Sequence, residues 1–496
     1  MNNILTERDY KDVFKYFSEI SKIPRASGNE KMISDFIVSF AKERELEYVQ
    51  DEAGNVIIIK NPTRGYENEE AIILQAHMDM VCEKKTDSIH DFDKDEIRLL
   101  VNGDFIHADG TTLGADDGIG LAYILAILAD DGLHHPRLEA IITTDEEVGM
   151  HGAKALDLTN LKAKYMINLD SEEEGHMLTS CAGGLTGTAT IPVVRISDYG
   201  KKVRIRIKGL KGGHSGSEIH KNRSNATKLL ARLLFELRAF YSFSLIDMFG
   251  GFKDNVIPRE AEAEIFIPVS SIKEPIDVNL LDQFKGIKDK INELINILQK
   301  ELSNSEPYLD YEIQDLEDGE YMPIDSRSFE KVLFHLINIP YGVQVMSQSM
   351  EGLVESSLNL GMFKLNDDSA EFCSSIRSSV ESYKNFMSNK LEYATNFIGG
   401  DYKVRNEYPA WEFKAESKLR EHLKRIYLKE YNKDIKVEAI HAGLECGLIS
   451  KKMPELDIVS IGPDMYDVHT IDERVSITST INVYKYLEKV IEEKIL

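Results

Sequence analysis

Several histidines and carboxylates stand at the ends of short apolar runs, where they could bind metal ions or transfer protons. His77 and Asp79 follow one such run and lie two residues apart, so both side chains project to the same face of a strand. A neutral imidazole is a common metal ligand, and a neighbouring carboxylate can orient it or support a general base. Taken alone, the His-x-Asp pattern is more commonly a packed histidine.

Carboxylates occupy three further positions of this kind. Asp116 and Asp117 open an apolar helix, where the helix dipole favours an ionised carboxylate and where a helix N-cap is the alternative interpretation. Glu146 and Glu147 are adjacent after an apolar run, and two carboxylates there repel each other unless positive charge lies nearby. One of them could bind a metal ion while the other acts as a general base. Asp170 ends the next apolar run in the same way.

His469 supplies a second imidazole far downstream, although a solvent-exposed histidine is the ordinary interpretation of its YDVHT context. Two imidazoles and three carboxylates then form one candidate set of ligands: His77, Asp116, Glu147, Asp170 and His469. Two zinc ions with these three carboxylates carry one net positive charge, which a bridging hydroxide neutralises. Nitrogen and oxygen ligands of this kind suit zinc, with manganese or cobalt as substitutes.

The elements that must position these residues alternate between strands and helices over the first 180 residues. Strands are predicted at Val56–Lys60, Ala71–Leu74, Leu138–Thr143 and Tyr165–Leu169, and helices at Asp9–Ile23, Asn29–Leu46 and from the LGADDG stretch to about Leu128. This alternation predicts an α/β sheet with parallel strands. Ligands in such sheets bind beyond the carboxyl ends of the strands, which is where the polar residues fall.

The pattern changes near residue 181, after which alternating runs stand among long helical stretches. Lys202–Lys208 predicts a half-exposed antiparallel strand, Glu260–Pro268 a second strand, and Asn279–Leu302 a helix. We expect a second, α+β domain over residues 186–397, inserted into a first domain formed by residues 1–185 and 398–496. The tail restores strand–loop–helix order with Lys418–Glu430, Leu456–Ile461 and Ser476–Ile495.

Composition excludes several classes of protein. The 496 residues include 84 acidic and 59 basic side chains, a formal charge of −25, which argues against binding to nucleic acid or anionic lipid. Met1–Tyr10 lacks the pattern of a signal peptide, and no apolar run approaches the roughly 20 residues of a membrane span. The four cysteines form no C-x-x-C pair, so we expect reduced thiols in a cytoplasmic protein.

The motifs, taken in order, resemble those of the M20 metallopeptidases, and within that family the Xaa-His dipeptidases. The matching stretches lie between residues 74 and 470: LQAHMDMV, DGTTLGADDGIG, TTDEEVGMHGA, INLDSEEEG, KGGHSG, NVIPREA, HAGLECG and YDVHT. The resemblance implies a catalytic domain with a mostly parallel mixed sheet flanked by helices. It also implies that the inserted α+β domain is a lid through which the protein forms a homodimer.

The same resemblance implies a di-zinc site and a role for each of its residues. His77 and Asp170 would hold one zinc ion, Glu147 and His469 the other, and Asp116 would bridge them. Glu146 would be the general base, with Asp79 supporting it or orienting His77. A cis peptide bond is implied between Asp116 and Asp117. The implied reaction is attack of a metal-bridging hydroxide on the scissile carbonyl, after which Glu146 returns the proton to the leaving amine.

Residues outside the metal set are implied to bind the substrate. His214 of the GGHSG loop would stabilise the oxyanion across the subunit interface, although alone it would be a flexible surface residue. Asn255 and Arg377 would hold the substrate backbone and the C-terminal carboxylate, for which the guanidinium fork is suited. An arginine in a serine-rich stretch is otherwise usually solvated. Glu445 would recognise the free amino end or, equally, structure its own loop.

The function implied is hydrolysis of dipeptides with a free amino end, including Xaa-His dipeptides such as β-alanyl-histidine. An M20 tripeptidase or N-acyl-amino-acid amidase with the same metal site is the alternative. A non-catalytic binding protein would be expected to lack a ligand or Glu146, and all are present. A phosphate-binding loop at KGGHSG is disfavoured because the G-x-x-x-x-G-K-[ST] spacing is missing.

Overall fold

The computed structural model describes residues 11–268 and 280–496. The chain divides into two compact units: unit 1 comprises Met1–Cys181, Trp411–Ala439 and Leu444–Leu496, and unit 2 comprises Ala182–Ala410 and Ile440–Gly443. The predictions for Met1–Tyr10, for the first two residues of the Asp9–Ile23 helix and for Asn279 lie outside the described residues. The role of residues 186–397 as a lid or dimerisation domain stays a prediction.

The strands and helices alternate along unit 1 and become mainly strands in unit 2. The strands are β1 (Glu47–Gln50), β2 (Val56–Lys60), β3 (Ile72–His77), β4 (Leu99–Asn102), β5 (Phe105–Ala108), β6 (Leu138–Thr143), β7 (Tyr165–Asn168), β8 (His176–Cys181), β9 (Gly183–Pro192), β10 (Asp198–Lys208), β11 (Gly213–His214), β12 (Ser244–Gly250), β13 (Val256–Ile257), β14 (Ala261–Pro268), β15 (Asp310–Tyr321), β16 (Gly342–Met346), β17 (Val354–Leu365), β18 (Ser369–Ser378), β19 (Asp401–Tyr408), β20 (Lys436–Ile440), β21 (Asp457–Ser460), β22 (Met465–Tyr466) and β23 (Arg474–Ser476). The helices are α1 (Lys11–Ile20), α2 (Lys31–Glu43), α3 (Ala115–Ala129), α4 (His151–Ala155), α5 (Ala226–Leu237), α6 (Leu280–Glu301), α7 (Ser326–Asn338), α8 (Glu381–Phe397), α9 (Lys418–Tyr431), α10 (Glu445–Lys452) and α11 (Ile477–Glu492), with a short 3₁₀ turn at Ile219–Lys221.

Unit 1 is built on an eight-stranded mixed sheet with the order β1–β2–β6–β3–β7–β21–β8–β20. The strands β6, β3, β7 and β21 run parallel at its centre, whereas β1, β2 and β8 pair antiparallel. Both β3 and β6 are buried along their whole length, which explains their nearly continuous apolar sequences. The predicted mostly parallel sheet is confirmed, and β21 brings the C-terminal segment into it.

Helix α3 explains how the aspartate pair is presented. The helix is apolar on all sides and lies wholly inside the core of unit 1 from Gly118 to Leu128. Asp116 and Asp117 have non-helical backbone angles, and the peptide bond between them is cis, as the family resemblance implied. The regular helix therefore begins after the aspartate pair, which leaves the two carboxylates free to point in different directions.

Unit 2 contains a nine-stranded sheet whose main order is β15–β10–β14–β12–β17–β18–β9–β19, with β16 paired to β17. The pairings along it are antiparallel, and β10 alternates between buried and half-exposed residues as the Lys202–Lys208 pattern predicted. Helices α5, α6, α7 and α8 contribute apolar residues that pack with this sheet. The inserted antiparallel α+β architecture is confirmed. None of the helices within the described ranges combines the length and hydropathy of a membrane span.

Candidate metal centre

Three neighbouring parallel strands of unit 1 end beside one another and carry the candidate ligands. His77 is the last residue of β3, and Asp170 follows the end of β7 by two positions. Glu146 and Glu147 follow β6, which pairs with β3 on its other side. Because parallel strands end at the same edge of the sheet, these side chains are brought to one place.

Asp116 lies at the centre of the cluster and faces both imidazoles. Its Oδ1 lies 3.1 Å from His77 Nε2, and its Oδ2 lies 3.1 Å from His469 Nε2. His77 Nε2 is also 3.8 Å from Asp170 Oδ1, and His469 Nε2 is 2.9 Å from Glu147 Oε1. Asp116 therefore has one imidazole and one further carboxylate on each side. This is the arrangement expected of a ligand that two metal ions share.

The ligand atoms fall into groups compact enough to hold a cation. His77, Asp116 and Asp170 offer atoms within 4.8 Å of one another, as do Asp116, Glu147 and His469. Glu146 completes a third group of this kind with His77 and Glu147, so its carboxyl group lies beside both ligand sets. The structure thus brings together Glu146 and the five candidate ligands predicted from the sequence.

Asp79 contacts His77 and the backbone of both glutamates. Its side chain is fully buried, with Oδ1 3.3 Å from His77 Nδ1. The same carboxylate accepts hydrogen bonds from the backbone N–H groups of Glu146, at 3.1 Å, and Glu147, at 3.2 Å, and from the Ser27 hydroxyl at 2.8 Å. It therefore fixes the orientation of His77 and the course of the chain that carries both glutamates.

The cluster attracts positive charge. Burial acts to lower the pKa of His77, but its hydrogen bonds with Asp116 and Asp79 hold that pKa well above the usual value. Hydrogen bonds with Asp116 and Glu147 raise the pKa of His469 to about 10. Burial raises the pKa of Glu146 to about 8. The carboxylates thus favour positive charge on the imidazoles of the metal-free protein, and a divalent cation that binds there would take the place of that charge.

The residues present fit two divalent metal ions. Within residues 11–268 and 280–496, the ion pairs of Asp116, Glu147 and Asp170 involve the two histidines and no lysine or arginine. Three clustered carboxylates without a permanent cation repel one another in a buried site. Two nitrogen donors and several carboxylate oxygens form the kind of ligand set that zinc accepts.

Glu445 lies in the same unit and is fully buried at the start of α10. Its Oε2 accepts hydrogen bonds from Gln75 Nε2 at 2.6 Å and from Thr143 Oγ1 at 2.5 Å. These contacts favour the loop-structuring interpretation of this carboxylate. Its Oε1, however, is buried without a hydrogen-bond partner among the described residues, so it could still receive a substrate ammonium.

Unit 2 contains the remaining candidate residues, and the hydrogen bonds of His214 there define its tautomer. Its Nδ1 accepts hydrogen bonds from the backbone N–H groups of Gly216, at 3.3 Å, and Ser217, at 3.1 Å. Burial and the charge of Arg377 lower the pKa of His214. The imidazole is thus neutral, with its proton on Nε2, and can donate one hydrogen bond from that atom.

Arg377 and Asn255 lie near His214 in unit 2. A Cβ atom at Gly216 would come within 2.9 Å of His214 Cε1 and 3.2 Å of Arg377 Cζ, so both side chains flank this glycine. The Asn255 carbonyl accepts the Ser215 N–H at 2.9 Å. Arg377 donates to the Tyr408 hydroxyl at 2.9 Å, and its buried Nε has no partner among the described residues. The structure thus places all three predicted residues in one part of unit 2.

Arg25 and Glu473, which position the candidate ligands, were not predicted from the sequence, and Asp117 was predicted only as a carboxylate that opens a helix. Arg25 is buried and donates to the carbonyls of Met78 and Asp79, and Asp117 accepts the His77 N–H at 3.3 Å. Glu473 is buried against the loop that precedes Asp116. No sequence pattern marks Arg25 or Glu473, because their contacts join residues that are distant along the chain.

Comparison with known proteins agrees with this geometry. Residues 73–493 match the family described as peptidase family M20/M25/M40. The chain is 37% identical over 491 residues to a cytosol non-specific dipeptidase of Escherichia coli (strain K12), covering 99% of each chain. The crystal structure of an aminoacylhistidine dipeptidase from Vibrio alginolyticus has a TM-score of 0.90 at 32% identity, again covering 99% of each chain. An aminopeptidase PepT from Bacillus cereus, with a TM-score of 0.55 at 16% identity and coverage of 98% of each chain, shares the fold. The chain belongs to peptidase family M20/M25/M40 and is a metallopeptidase homologous to dipeptidases over its full length.

Proposed function

We propose that the protein is a di-zinc dipeptidase that hydrolyses dipeptides with a free amino end, including Xaa-His dipeptides such as β-alanyl-histidine. The observation that carries the metal assignment is the position of Asp116, whose two oxygens each lie 3.1 Å from a different imidazole. His77 and Asp170 would hold one ion, and Glu147 and His469 the other. Manganese or cobalt could replace zinc with the same ligands.

The residues of the chain would divide the chemistry among them. Bound divalent ions would supply Lewis acidity and favour the ionisation of water near neutral pH. Glu146 lies beside both ligand sets and is not needed as a ligand in either, so its carboxylate would accept the proton of the attacking water. It would then donate this proton to the leaving amine. Asp79 would hold the backbone of Glu146 through a hydrogen bond and orient His77 through the 3.3 Å contact with its Nδ1.

The unit 2 residues would bind the substrate. His214 carries its proton on Nε2 and would donate it in a hydrogen bond to the developing oxyanion. Arg377 would hold the C-terminal carboxylate through its guanidinium fork, and Asn255 the peptide backbone. The free amino end would be received by Glu445. These roles rest on the family resemblance together with the local geometry of each residue.

The choice of dipeptides is supported by the two full-length relatives, one named a cytosol non-specific dipeptidase and the other an aminoacylhistidine dipeptidase. A tripeptidase or an N-acyl-amino-acid amidase would use the same metal site. We also propose a cytoplasmic location and a homodimer formed through unit 2. Both follow the family resemblance, and the first also follows the name of the Escherichia coli relative.

Metal removal should abolish peptide hydrolysis, and zinc or manganese should restore it. The measurement compares chelator-treated and metal-restored protein on β-Ala-His, several α-dipeptides, one tripeptide and one N-acetylated amino acid. Cleavage of the free-amino dipeptides alone is the expected result. Cleavage of the tripeptide or the acylated amino acid instead would keep the metal centre and overturn the substrate assignment. No cleavage with any metal would contradict the proposed function as a whole.

Asp79→Asn should weaken metal binding by roughly 10–100-fold, the usual effect of removing a group that orients a ligand. The amide has one acceptor oxygen where the carboxylate uses two for the N–H groups of Glu146 and Glu147. Metal content after dialysis against a graded series of chelator concentrations measures the effect. Ser27→Ala is the matched control, because it removes a single hydroxyl donor from the same carboxylate. Equal metal retention in the two variants would contradict the role given to Asp79.

A further inference from the structure

Glu473 is a buried carboxylate that binds four consecutive backbone N–H groups. The residue is only 2% exposed. Oε2 accepts hydrogen bonds from the N–H groups of Leu113, at 2.7 Å, and Gly114, at 3.0 Å. Oε1 accepts those of Ala115, at 2.8 Å, and Asp116, at 3.5 Å. The carboxylate thus fixes the chain that leads into the shared aspartate.

Glu473 also ends the loop that carries His469. Strands β22 and β23 pair as a short hairpin, with Met465 opposite Val475, and His469 lies in the loop between them. The backbone of His469 has a φ of 64°, in the left-handed region that non-glycine residues rarely occupy. The Glu473 N–H donates to the Thr470 carbonyl at 3.2 Å, which closes the loop next to His469. One residue therefore contacts the loops of two candidate ligands.

Arg25 holds the Asp116 loop from the carbonyl side. Its guanidinium donates to the Gly114 carbonyl and to those of Met78 and Asp79, at 3.0 and 2.9 Å. Gly114 has a φ of 67°, and a Cβ atom there would lie 2.4 Å from Arg25 Nη2. The loop is therefore held from two sides: the Arg25 guanidinium donates to its carbonyl, and the Glu473 carboxylate accepts from its N–H groups. Arg25 joins it to the chain after β3, whereas Glu473 joins it to the His469 hairpin.

We propose that Glu473 is a positioning residue that sets the distance between Asp116 and His469 and thereby determines the affinity of the metal site formed by Asp116, Glu147 and His469. The inference rests on the two-metal centre of the proposed function. His469 depends on the contacts of Glu473 more than His77 does, because surrounding side chains hold it less. The side chain of His469 is 49% exposed, whereas that of His77 is 1% exposed. The site formed by His77, Asp116 and Asp170 keeps its support from Asp79 and Arg25.

Glu473→Gln should weaken binding of one of the two metal ions by roughly 10–100-fold and change binding of the other by no more than about threefold. The amide places an NH₂ group against backbone N–H donors, so about half of the four hydrogen bonds are lost. The backbone amides of residues 113–116 should then exchange with deuterium faster in the metal-free variant than in the metal-free parent protein.

The measurement is calorimetric titration of the full-length metal-free protein with Zn²⁺, together with hydrogen–deuterium exchange of the same sample. Asp472→Asn is the matched control, because it makes the same charge change on the same loop at an exposed residue. Glu473→Asp keeps the charge with a shorter reach, and its metal affinity should lie between those of the parent and Glu473→Gln. If circular dichroism shows that Glu473→Gln does not fold, Glu473→Asp decides by the same criteria.

Selective weakening of one ion with faster exchange at residues 113–116 supports the inference. Two unchanged affinities, or an equal loss at both sites that Asp472→Asn shares, would overturn it while leaving the two-metal centre intact. A parent protein that binds fewer than two zinc ions would overturn both this inference and the proposed function.

Discussion

Replacing Glu146 with glutamine should lower kcat by roughly 10²–10⁴-fold, the usual contribution of a general base, while the metal content stays the same. The amide has nearly the shape of the carboxylate but cannot accept a proton. The backbone of residue 146 is held by Asp79, at 3.1 Å, independently of its side chain, so the substitution should leave the ligand set in place.

The test is steady-state hydrolysis of the best dipeptide substrate, combined with metal analysis of the same sample. Glu147→Gln is the informative comparison, because Glu147 lies 2.9 Å from His469 and is proposed as a ligand. It should lose metal together with activity. A Glu146→Gln variant that keeps activity within about tenfold of the parent would show that another group accepts the proton. Loss of metal from this variant would instead make Glu146 a ligand.

Replacing His214 with alanine should lower kcat by roughly 10²–10³-fold with a smaller change in KM, because an oxyanion donor acts mainly in the transition state. The Nε2 proton is available because Nδ1 is occupied by the N–H groups of Gly216 and Ser217. His220→Ala is the matched control, since His220 is an exposed histidine of the same loop region. A variant changed in KM alone would make His214 a binding residue.

Mixing the two inactive variants tests whether His214 acts across the proposed dimer interface. In a heterodimer of Glu146→Gln and His214→Ala subunits, one site regains both intact residues if His214 comes from the other subunit. Random reassociation should then restore about a quarter of the parent activity, as expected for a symmetric dimer. A mixture that stays inactive after verified subunit exchange would place His214 and Glu146 of one site on the same chain.

The sheet and the positions of its polar residues follow from local sequence. Val56–Lys60 and Leu138–Thr143 are strands with the predicted bounds, because apolar runs of this length between turn residues favour buried strands. The aspartate pair shows how two interpretations can both apply. Asp117 Oδ1 accepts the Gly120 N–H at 3.1 Å, as a helix cap does, whereas Asp116 faces the two imidazoles.

The supports of the site could not be read from the sequence, because they join residues that are distant along the chain. Glu473 and Leu113 are 360 positions apart, and Glu445 and Gln75 are 370 apart. Such contacts leave no periodic pattern and depend on tertiary packing. The role of His469 could not be predicted from its expected exposure either. Its imidazole is half exposed, and only its Nε2 edge faces the carboxylates.

The place of β21 in the sheet determines the order in which the chain can fold during synthesis. This strand pairs with β7 on one side and β8 on the other, yet it is translated about 290 residues after β7, a delay of roughly 15–60 s at common elongation rates. All of unit 2 precedes β21 in the chain and has been translated by then. A chain that terminates before residue 457 therefore leaves one edge of β7 open, a template for aggregation, and also lacks the imidazole of His469.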